Sequence, residues 1–188
     1  PSNMTNHVAV IVTGYGMAAT AIYGDDRDNP SLEPYLSGII TKAKTFIDRT
    51  YYKDGSYGEP KSGYMDMATR DIVELLATLE RNFGIDYSTT TNVENFYKYP
   101  LQATFTSGLI QSYGDGDRHY RGFTQDHAEW FVKRTGNPFL YSFVKPFWEA
   151  GKGGYLGYLW FRYELTPVSR ETLPESKVFS AQGMVMRS

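Results

Sequence analysis

The stretch that decides the fold is Tyr51–Gly84, YYKDGSYGEPKSGYMDMATRDIVELLATLERNFG, in which a tyrosine-rich turn sequence runs directly into an amphipathic pattern. Apolar side chains recur at intervals of three and four residues from Met65 to Phe83, which is the spacing of one face of an α-helix. Gly84 follows the last of them and is typical of a helix C-cap, because glycine adopts the left-handed conformation without steric cost. The stretch therefore predicts a loop that leads into a core helix.

Two further helical patterns precede this stretch. Val8–Tyr23 mixes β-branched residues with glycine and alanine, and its length favours a tightly packed helix over a strand. Ser31 is a candidate N-cap. Apolar residues recur at helical spacing from Leu32 to Ile47, which predicts a helix that extends through Asp48. These patterns predict two helices before the loop and one after it.

Helical patterns also follow the central stretch. Residues 93–112 predict a helix kinked near Pro100, residues 123–134 predict another, and Pro138 suits the first position of a helix that runs through Val144. Helix follows helix with loops at alternate ends, so we expect a mainly α fold of antiparallel helical hairpins. A dinucleotide-binding fold is disfavoured, because strands do not alternate with helices around a glycine-rich turn.

The carboxyl-terminal part of the sequence changes character. Residues 166–176 contain two prolines and are typical of a linker. Residues 177–188, KVFSAQGMVMRS, alternate apolar and polar side chains in the manner of a strand. We therefore predict a helical domain over residues 1–165, a linker over 166–176, and the first strand of a different domain over 177–188.

Composition narrows the classes of function. A hydrophobic fraction of 41% in 188 residues is enough for a sizeable core. A net charge of -2 argues against general binding to nucleic acid or to an anionic membrane, since both demand a basic excess. No apolar run is long enough to span a bilayer. The absence of cysteine excludes disulfides and thiolate metal sites.

Tyrosine is unusually abundant, with 16 residues in a chain that is 16% aromatic. A tyrosine buries its ring and keeps a polar tip, so an excess of tyrosine is frequent where flat, hydroxylated ligands such as sugars stack. Most individual tyrosines are more simply explained as boundary residues between core and solvent. Sugar binding is therefore one hypothesis that the composition favours.

Polar residues at the starts of two predicted helices are candidates for a site. His7 follows Asn6 at the start of the first helix, and Tyr64 stands at the start of the third. Side chains that enter neighbouring hairpins at the same end can face one another across a cleft. Each of these residues, taken alone, is more commonly a capping or boundary residue.

Other polar residues are weaker candidates. Glu59 either orients a ligand or is merely solvated, and Arg70 is suitably spaced to pair with Glu74 on one helix face. His119 ends the polar run GDGDRH at 114–119, which resembles a calcium loop but lacks the complete ligand set of an EF-hand. We therefore expect a solvated loop there and no metal site in this chain.

The segments NHVAVIVTGYGMAATAIYG (6–24), DGSYGEPKSGYMDMATRDIVELLATLERNFGI (54–85) and KVFSAQGMVMRS (177–188) resemble the heparinase II/III-like superfamily of polysaccharide lyases. The resemblance implies an incomplete (α/α) toroid followed by a C-terminal β-sandwich. The chain would then be a fragment containing the C-terminal part of the toroid and the first sandwich strand. Residues 64–72 also resemble the dermatan sulfate epimerase branch.

The resemblance implies roles for the residues at the helix starts. Tyr64 matches the family's catalytic tyrosine, which acts as the acid and often also as the base. His7 or Asn6 matches a residue of the earlier helix that neutralises the carboxylate of the substrate. Which of Tyr64 and His7 is the base depends on the stereochemistry of the sugar.

Substrate-binding roles are implied for residues of the loop and beyond. Tyr57 would line the cleft and Glu59 would orient sugar hydroxyls, with Arg70 and His119 as further substrate-binding residues. Many family members have glycine after the loop glutamate, where this sequence has Pro60. This difference makes the loop less similar to the pattern of the family.

The implied function is cleavage of a uronic-acid-containing polysaccharide, such as alginate, ulvan or a glycosaminoglycan, by β-elimination. The resemblance implies no cofactor within this chain, although a structural metal on the sandwich is consistent with it. It also implies a periplasmic or secreted protein whose export signal lies upstream. The alternatives are a uronate C5-epimerase and a non-catalytic glycan-binding module.

Overall fold

A computed structural model confirms the mainly helical fold. It describes residues 5–26, 29–58, 62–87, 91–103, 125–151, 164–169, 172–173, 176–179 and 183–186. In these residues the α-helices are α1 (Asn6–Asp25), α2 (Leu32–Thr50), α3 (Ser62–Phe83), α4 (Lys98–Ala103), α5 (Gln125–Thr135) and α6 (Pro138–Glu149). A 3₁₀ helix spans Val93–Asn95, and two strands follow the helices, β1 (Ser176–Phe179) and β2 (Gly183–Met186).

Helix ends fall where the sequence predicts them in most cases. Gly84 ends α3 with a φ of 68°, and Gly136 follows α5 with a φ of 63°, in the left-handed region that glycine tolerates. Asn137 caps α6, because its side-chain oxygen accepts hydrogen bonds from the amides of Phe139 and Leu140 at 3.0 Å each.

Ser31 does not cap α2, so that prediction is wrong. Its backbone is helical, with φ at -75° and ψ at -18°, and its side chain makes no capping hydrogen bond. The Ser31 amide and hydroxyl instead both donate to the side-chain oxygen of Asn29, at 3.1 and 2.5 Å. A local asparagine turn therefore competes successfully with the cap.

The kinked helix predicted over residues 93–112 differs in the structure. The 3₁₀ helix at 93–95 and the separate helix α4 occupy its first half, and residues 104–112 lie outside the described part. Pro100 sits in the first turn of α4, where a missing N–H costs no intrahelical hydrogen bond. The proline therefore lies at a helix start and kinks nothing.

The carboxyl-terminal strands form a hairpin where one strand was expected. β1 pairs antiparallel with β2, in a register that places Ser176 opposite Met186 and Phe179 opposite Gly183. Part of the predicted linker is attached to the helices, because the Val168 amide donates to the Pro138 carbonyl at 3.3 Å. The hairpin therefore follows a segment that is held on α6.

The first three helices form an up-down-up layer in which α1 and α3 run parallel. The rings of Tyr23 and Phe83 meet at 5.4 Å near the carboxyl ends of α1 and α3. A side chain added at Gly16, in the middle of α1, would meet Leu75 in the middle of α3. Helix α2 runs the opposite way, since Leu36 near its start lies beside Tyr23 and Phe83.

Aromatic rings and one arginine fix the later helices against this layer. The larger core cluster contains Tyr51, Tyr57 and Phe96 together with residues of α3, α5 and α6. Arg134 on α5 contacts three carboxylates, Glu80 at 2.7 Å, Asp86 at 2.5 Å and Glu94 at 3.1 Å. The guanidinium also lies 5.0 Å from the centre of the Trp130 ring. Trp130 itself is buried.

Helix α1 is packed on one face only. Between His7 and Asp25 it carries no charged residue, which is typical of a helix covered on all sides. The described part of the chain nevertheless leaves large apolar side chains of α1 exposed, namely Val10, Ile11, Tyr15, Met17 and Ile22. Among the described residues, no helix combines the length and apolarity that a membrane span requires.

Two glycines of α1 give a matched test of the packing. Gly16→Ala drives a methyl group toward Leu75 and Ile39, whereas Gly14→Ala meets no atom within 4 Å. Alanine stabilises an open helical position by about 0.5–1 kcal/mol, and overpacking a core costs about 1–3 kcal/mol. We expect urea denaturation to show Gly14→Ala as more stable than the parent and Gly16→Ala as less stable. Equal gains for both would contradict the close packing of α1 on α3.

Candidate functional site

The amino ends of α1 and α3 lie at the same end of the helical layer. Tyr23 of α1 contacts Phe83 of α3, and Gly16 of α1 lies against Leu75 of α3. The difference in residue number is nearly the same in both contacts, so the two parallel helices keep one axial offset along their length. That offset brings the first turn of α1 level with the first turn of α3. His7 is exposed there, and Tyr64 is 40% exposed.

Asn6 lies inside the protein, whereas its neighbour His7 lies outside. The Asn6 side chain is only 3% exposed, on the face of α1 that packs toward α3. The offset between the helices places Asn6 level with Met65 and Asp66. The two alternative candidates thus differ in position, with His7 at the surface and Asn6 in the layer beneath it.

Tyr57 does not line a cleft, which corrects the prediction for this residue. It is fully buried, and its ring packs against Tyr51 at 5.2 Å and Phe96 at 6.4 Å. Tyr51 and Tyr57 also form an isolated antiparallel bridge. The rings are drawn inward because burying two tyrosines gains far more apolar contact than a solvated loop gives.

The first half of the predicted loop is a tight hairpin. Asp54 accepts hydrogen bonds from the Ser56 amide and hydroxyl, at 2.9 and 2.7 Å. Gly55 has a φ of 91°, and a side chain there would meet Asn95 and, at 2.8 Å, Lys98. The turn therefore packs against the 3₁₀ helix and the start of α4.

Arg70 is exposed and contacts the residue next to it. Its guanidinium lies 3.5 Å from an Asp71 carboxylate oxygen. Burial raises the pKa of the Asp71 carboxyl above its ordinary value, and the charge of Arg70 opposes that shift. Of the other predicted substrate-binding residues, Glu59 and His119 lie outside the described residues.

A buried carboxyl–imidazole pair lies two residues along α3 from Tyr64. His127 Nε2 on α5 is 3.1 Å from Asp66 Oδ1, and the side chains are 1% and 6% exposed. The His127 ring also packs edge-on against Phe96 and Phe131, at 6.3 Å each. Ionisable groups are rarely buried unless they are paired, so this contact joins α3 to α5 at a defined point.

A buried tyrosine lies beside this pair. The Tyr51 hydroxyl is 3.0 Å from Thr69 Oγ1, and Thr69 Oγ1 donates to the Met65 carbonyl at 2.7 Å. Because threonine has a single hydroxyl proton, Tyr51 is the donor to Thr69. Burial raises the pKa of Tyr51; the Thr69 hydrogen bond opposes the shift, and the charges of Asp71 and Asp66 add to it. Tyr51 therefore remains a neutral donor.

The sequence patterns did not identify Asp66, Thr69 and His127. Asp66 stands between two methionines, and Thr69 follows three residues later, so both fall on a helix face with buried neighbours. Two polar residues on a buried helix face are a detectable pattern, but the apolar stripe of α3 alone was used to predict the helix. His127 stands in the sequence DHAEWF, whose second acid, Glu129, is also fully buried.

The end of the layer thus has an exposed group of side chains, His7 and Tyr64, and a buried group beneath it that includes Asp66 and His127. The exposed imidazole and phenol can transfer protons, and the buried contacts hold α3 in place. Among the described residues, no group of three histidine or acidic side chains is arranged to hold a metal ion.

Comparisons with protein-family models, with curated proteins and with solved structures gave no match for this chain.

The Asp66–His127 pair can be tested by combining two substitutions. His127→Phe fills the space between Phe96 and Phe131 but leaves the Asp66 carboxyl buried against a ring. Removing one member of a buried ion pair typically lowers the free energy of unfolding by about 3–5 kcal/mol. Adding Asp66→Asn removes the buried charge, so we expect urea denaturation to show the double variant as more stable than His127→Phe alone. A double variant whose loss of stability equals the sum of the two single losses would contradict the coupling.

Proposed function

We propose that this chain carries the catalytic tyrosine and histidine of a polysaccharide lyase, which cleaves uronic-acid-containing polymers by β-elimination. The observation that carries the proposal is the parallel packing of α1 and α3. It brings the starts of both helices to one end of the layer, and His7 and Tyr64 are exposed there. A proton-transfer site requires accessible acid and base groups close together.

The chemistry explains why a phenol and an imidazole suit this reaction. The C5 proton of a uronate is weakly acidic, because its removal adds negative charge beside a carboxylate. A lyase therefore stabilises that charge with hydrogen-bond donors as it develops. A second group must protonate O4 as the glycosidic bond breaks.

The roles follow from exposure and from the types of side chain. Tyr64 protonates the departing O4, and His7 contacts the uronate carboxylate or removes the C5 proton. If Tyr64 also acts as the base, its phenolate requires nearby positive charge or hydrogen bonds, since the ordinary tyrosine pKa is about 10. Asn6 supports the site from beneath, as a buried residue of the same helix turn.

The proposal extends to the architecture. The consecutive antiparallel hairpins α1–α2 and α2–α3 suit an arc of an incomplete (α/α) toroid, and the β1–β2 hairpin suits the beginning of a β-sandwich. Glu59, Arg70 and His119 are proposed substrate-binding residues, and Arg70 offers an exposed cation for an acidic sugar. Such substrates lie outside the cytoplasm, so export to the periplasm or secretion belongs to the proposal.

The activity test follows ultraviolet absorbance from C4–C5 unsaturated uronate, over alginate, ulvan, heparan sulfate and chondroitin or dermatan sulfate. It uses the protein that carries this chain, as the parent and with Tyr64→Phe. Removing one general acid costs roughly a hundredfold or more in turnover, so we expect Tyr64→Phe to abolish the absorbance rise.

Tyr35→Phe is the matched control. Tyr35 is 70% exposed and lies near the start of α2, at the opposite end of the layer. Unchanged turnover in Tyr64→Phe would remove Tyr64 from the mechanism. Exchange of the C5 proton for solvent deuterium without unsaturated product would assign an epimerase, and saturable polysaccharide binding without either reaction would assign a binding module.

A further inference from the structure

A second concave site lies at the opposite end of the helical layer. A cavity of about 280 Å³ opens where the carboxyl ends of α1 and α3 meet the amino end of α2. That volume is far larger than the roughly 10–15 Å³ that a single water molecule needs, so a small organic molecule fits. The cavity is remote from His7 and Tyr64, because each helix of the layer is about 30 Å long.

Three aromatic residues are among those that line the cavity. Tyr23, Phe83 and Tyr87 line it, together with three aliphatic side chains. Tyr23 and Phe83 meet edge to face, with an interplanar angle of 67°, so they form a corner. Aromatic faces attract cations through their quadrupoles, which is how proteins recognise ammonium groups.

Among the described residues that line the cavity, Glu33 is the only charged side chain and none is basic. Asp25 and Asp26 follow at the end of α1, and both are exposed. Asp86 lies beside the cavity wall but is paired with Arg134 at 2.5 Å. At the cavity wall Glu33 therefore attracts a cation and repels an anion, while Arg81 in the last turn of α3 is a basic residue outside the described wall.

The helix ends add to this preference. The carboxyl ends of α1 and α3 carry partial negative charge, because their last carbonyl groups lack intrahelical partners. The amino end of α2 carries partial positive charge, and Glu33 in its first turn offsets that charge. The hydroxyls of Ser37 and Thr41 complete the rim and offer hydrogen bonds to a polar tail.

We infer that this cavity binds a small organic cation, a substituted ammonium whose apolar groups contact Tyr23, Phe83 and Tyr87 and whose charge faces Glu33. A polar substituent on the cation reaches Ser37 or Thr41. The site is independent of the proposed lyase chemistry, since it shares no residue with it.

Choline is a suitable probe, because it joins a trimethylammonium group to a hydroxyl. Its neutral isostere, 3,3-dimethylbutan-1-ol, has nearly the same shape without the charge. We expect isothermal titration of the whole chain to show saturable choline binding, and binding of the isostere at least tenfold weaker. Equal affinity for the two molecules, or no saturable binding of choline, would overturn the inference.

Glu33→Gln tests the electrostatic part of the inference. The Glu33 side chain is exposed, so the substitution preserves the fold, which circular dichroism checks. We expect it to weaken choline binding roughly tenfold, the size of one charge contact in a partly solvated site. Glu149→Gln, an exposed acid of α6 outside the cavity, is the matched control and should leave the affinity unchanged. An unchanged affinity in Glu33→Gln would also overturn the inference.

Discussion

The close approach of α1 to α3 is the constraint on which the rest of the structure depends. Gly16 lets the α1 backbone come within contact distance of the fully buried Leu75, with Ile39 of α2 on the other side. Because the helices are parallel, this contact fixes their axial offset as well as their separation. Both the shared amino end and the cavity at the carboxyl end follow from that offset.

Buried polar contacts then decide how the end of α2 and helix α5 are held against α3. The apolar part of the core is tolerant, since side chains of similar volume pack in several ways. The Tyr51–Thr69 hydrogen bond is directional, and both it and the Asp66–His127 contact are buried, where an unmatched polar group is costly. They lie beneath the first turns that carry His7 and Tyr64. The proposed site would therefore stand on the most precisely fixed part of the fold.

Local patterns predicted much of this architecture. The α3 stripe from Met65 to Phe83 and the stop at Gly84 are properties of short sequence windows, and the structure confirms both. Local reasoning failed where two polar options competed, as at Ser31, whose side chain binds Asn29 in place of the helix end. A single window gives no information about which of two such hydrogen bonds forms.

Long-range contacts explain the other differences. Tyr57 stands among glycine, serine and lysine, so its neighbours predicted an exposed loop, yet the bridge to Tyr51 turns it into the core. Asp66 and His127 are far apart in sequence and meet only because α5 packs on α3. His7 and Tyr64 are both exposed at the helix starts. The burial of Asn6 does not follow from the sequence.

The central claim is that His7 and Tyr64 share one end of the layer, and a crosslinking measurement tests it most directly. The chain contains no cysteine, so the pair introduced by His7→Cys and Tyr64→Cys supplies the only thiols that react with the crosslinker. The control pair joins His7→Cys with Arg81→Cys, about 25 Å further along α3. A short bis-maleimide reagent should produce an intramolecular crosslink, read by intact mass, in the first pair alone. Efficient crosslinking of the control pair in place of the first would show that α1 and α3 are antiparallel and would contradict the account.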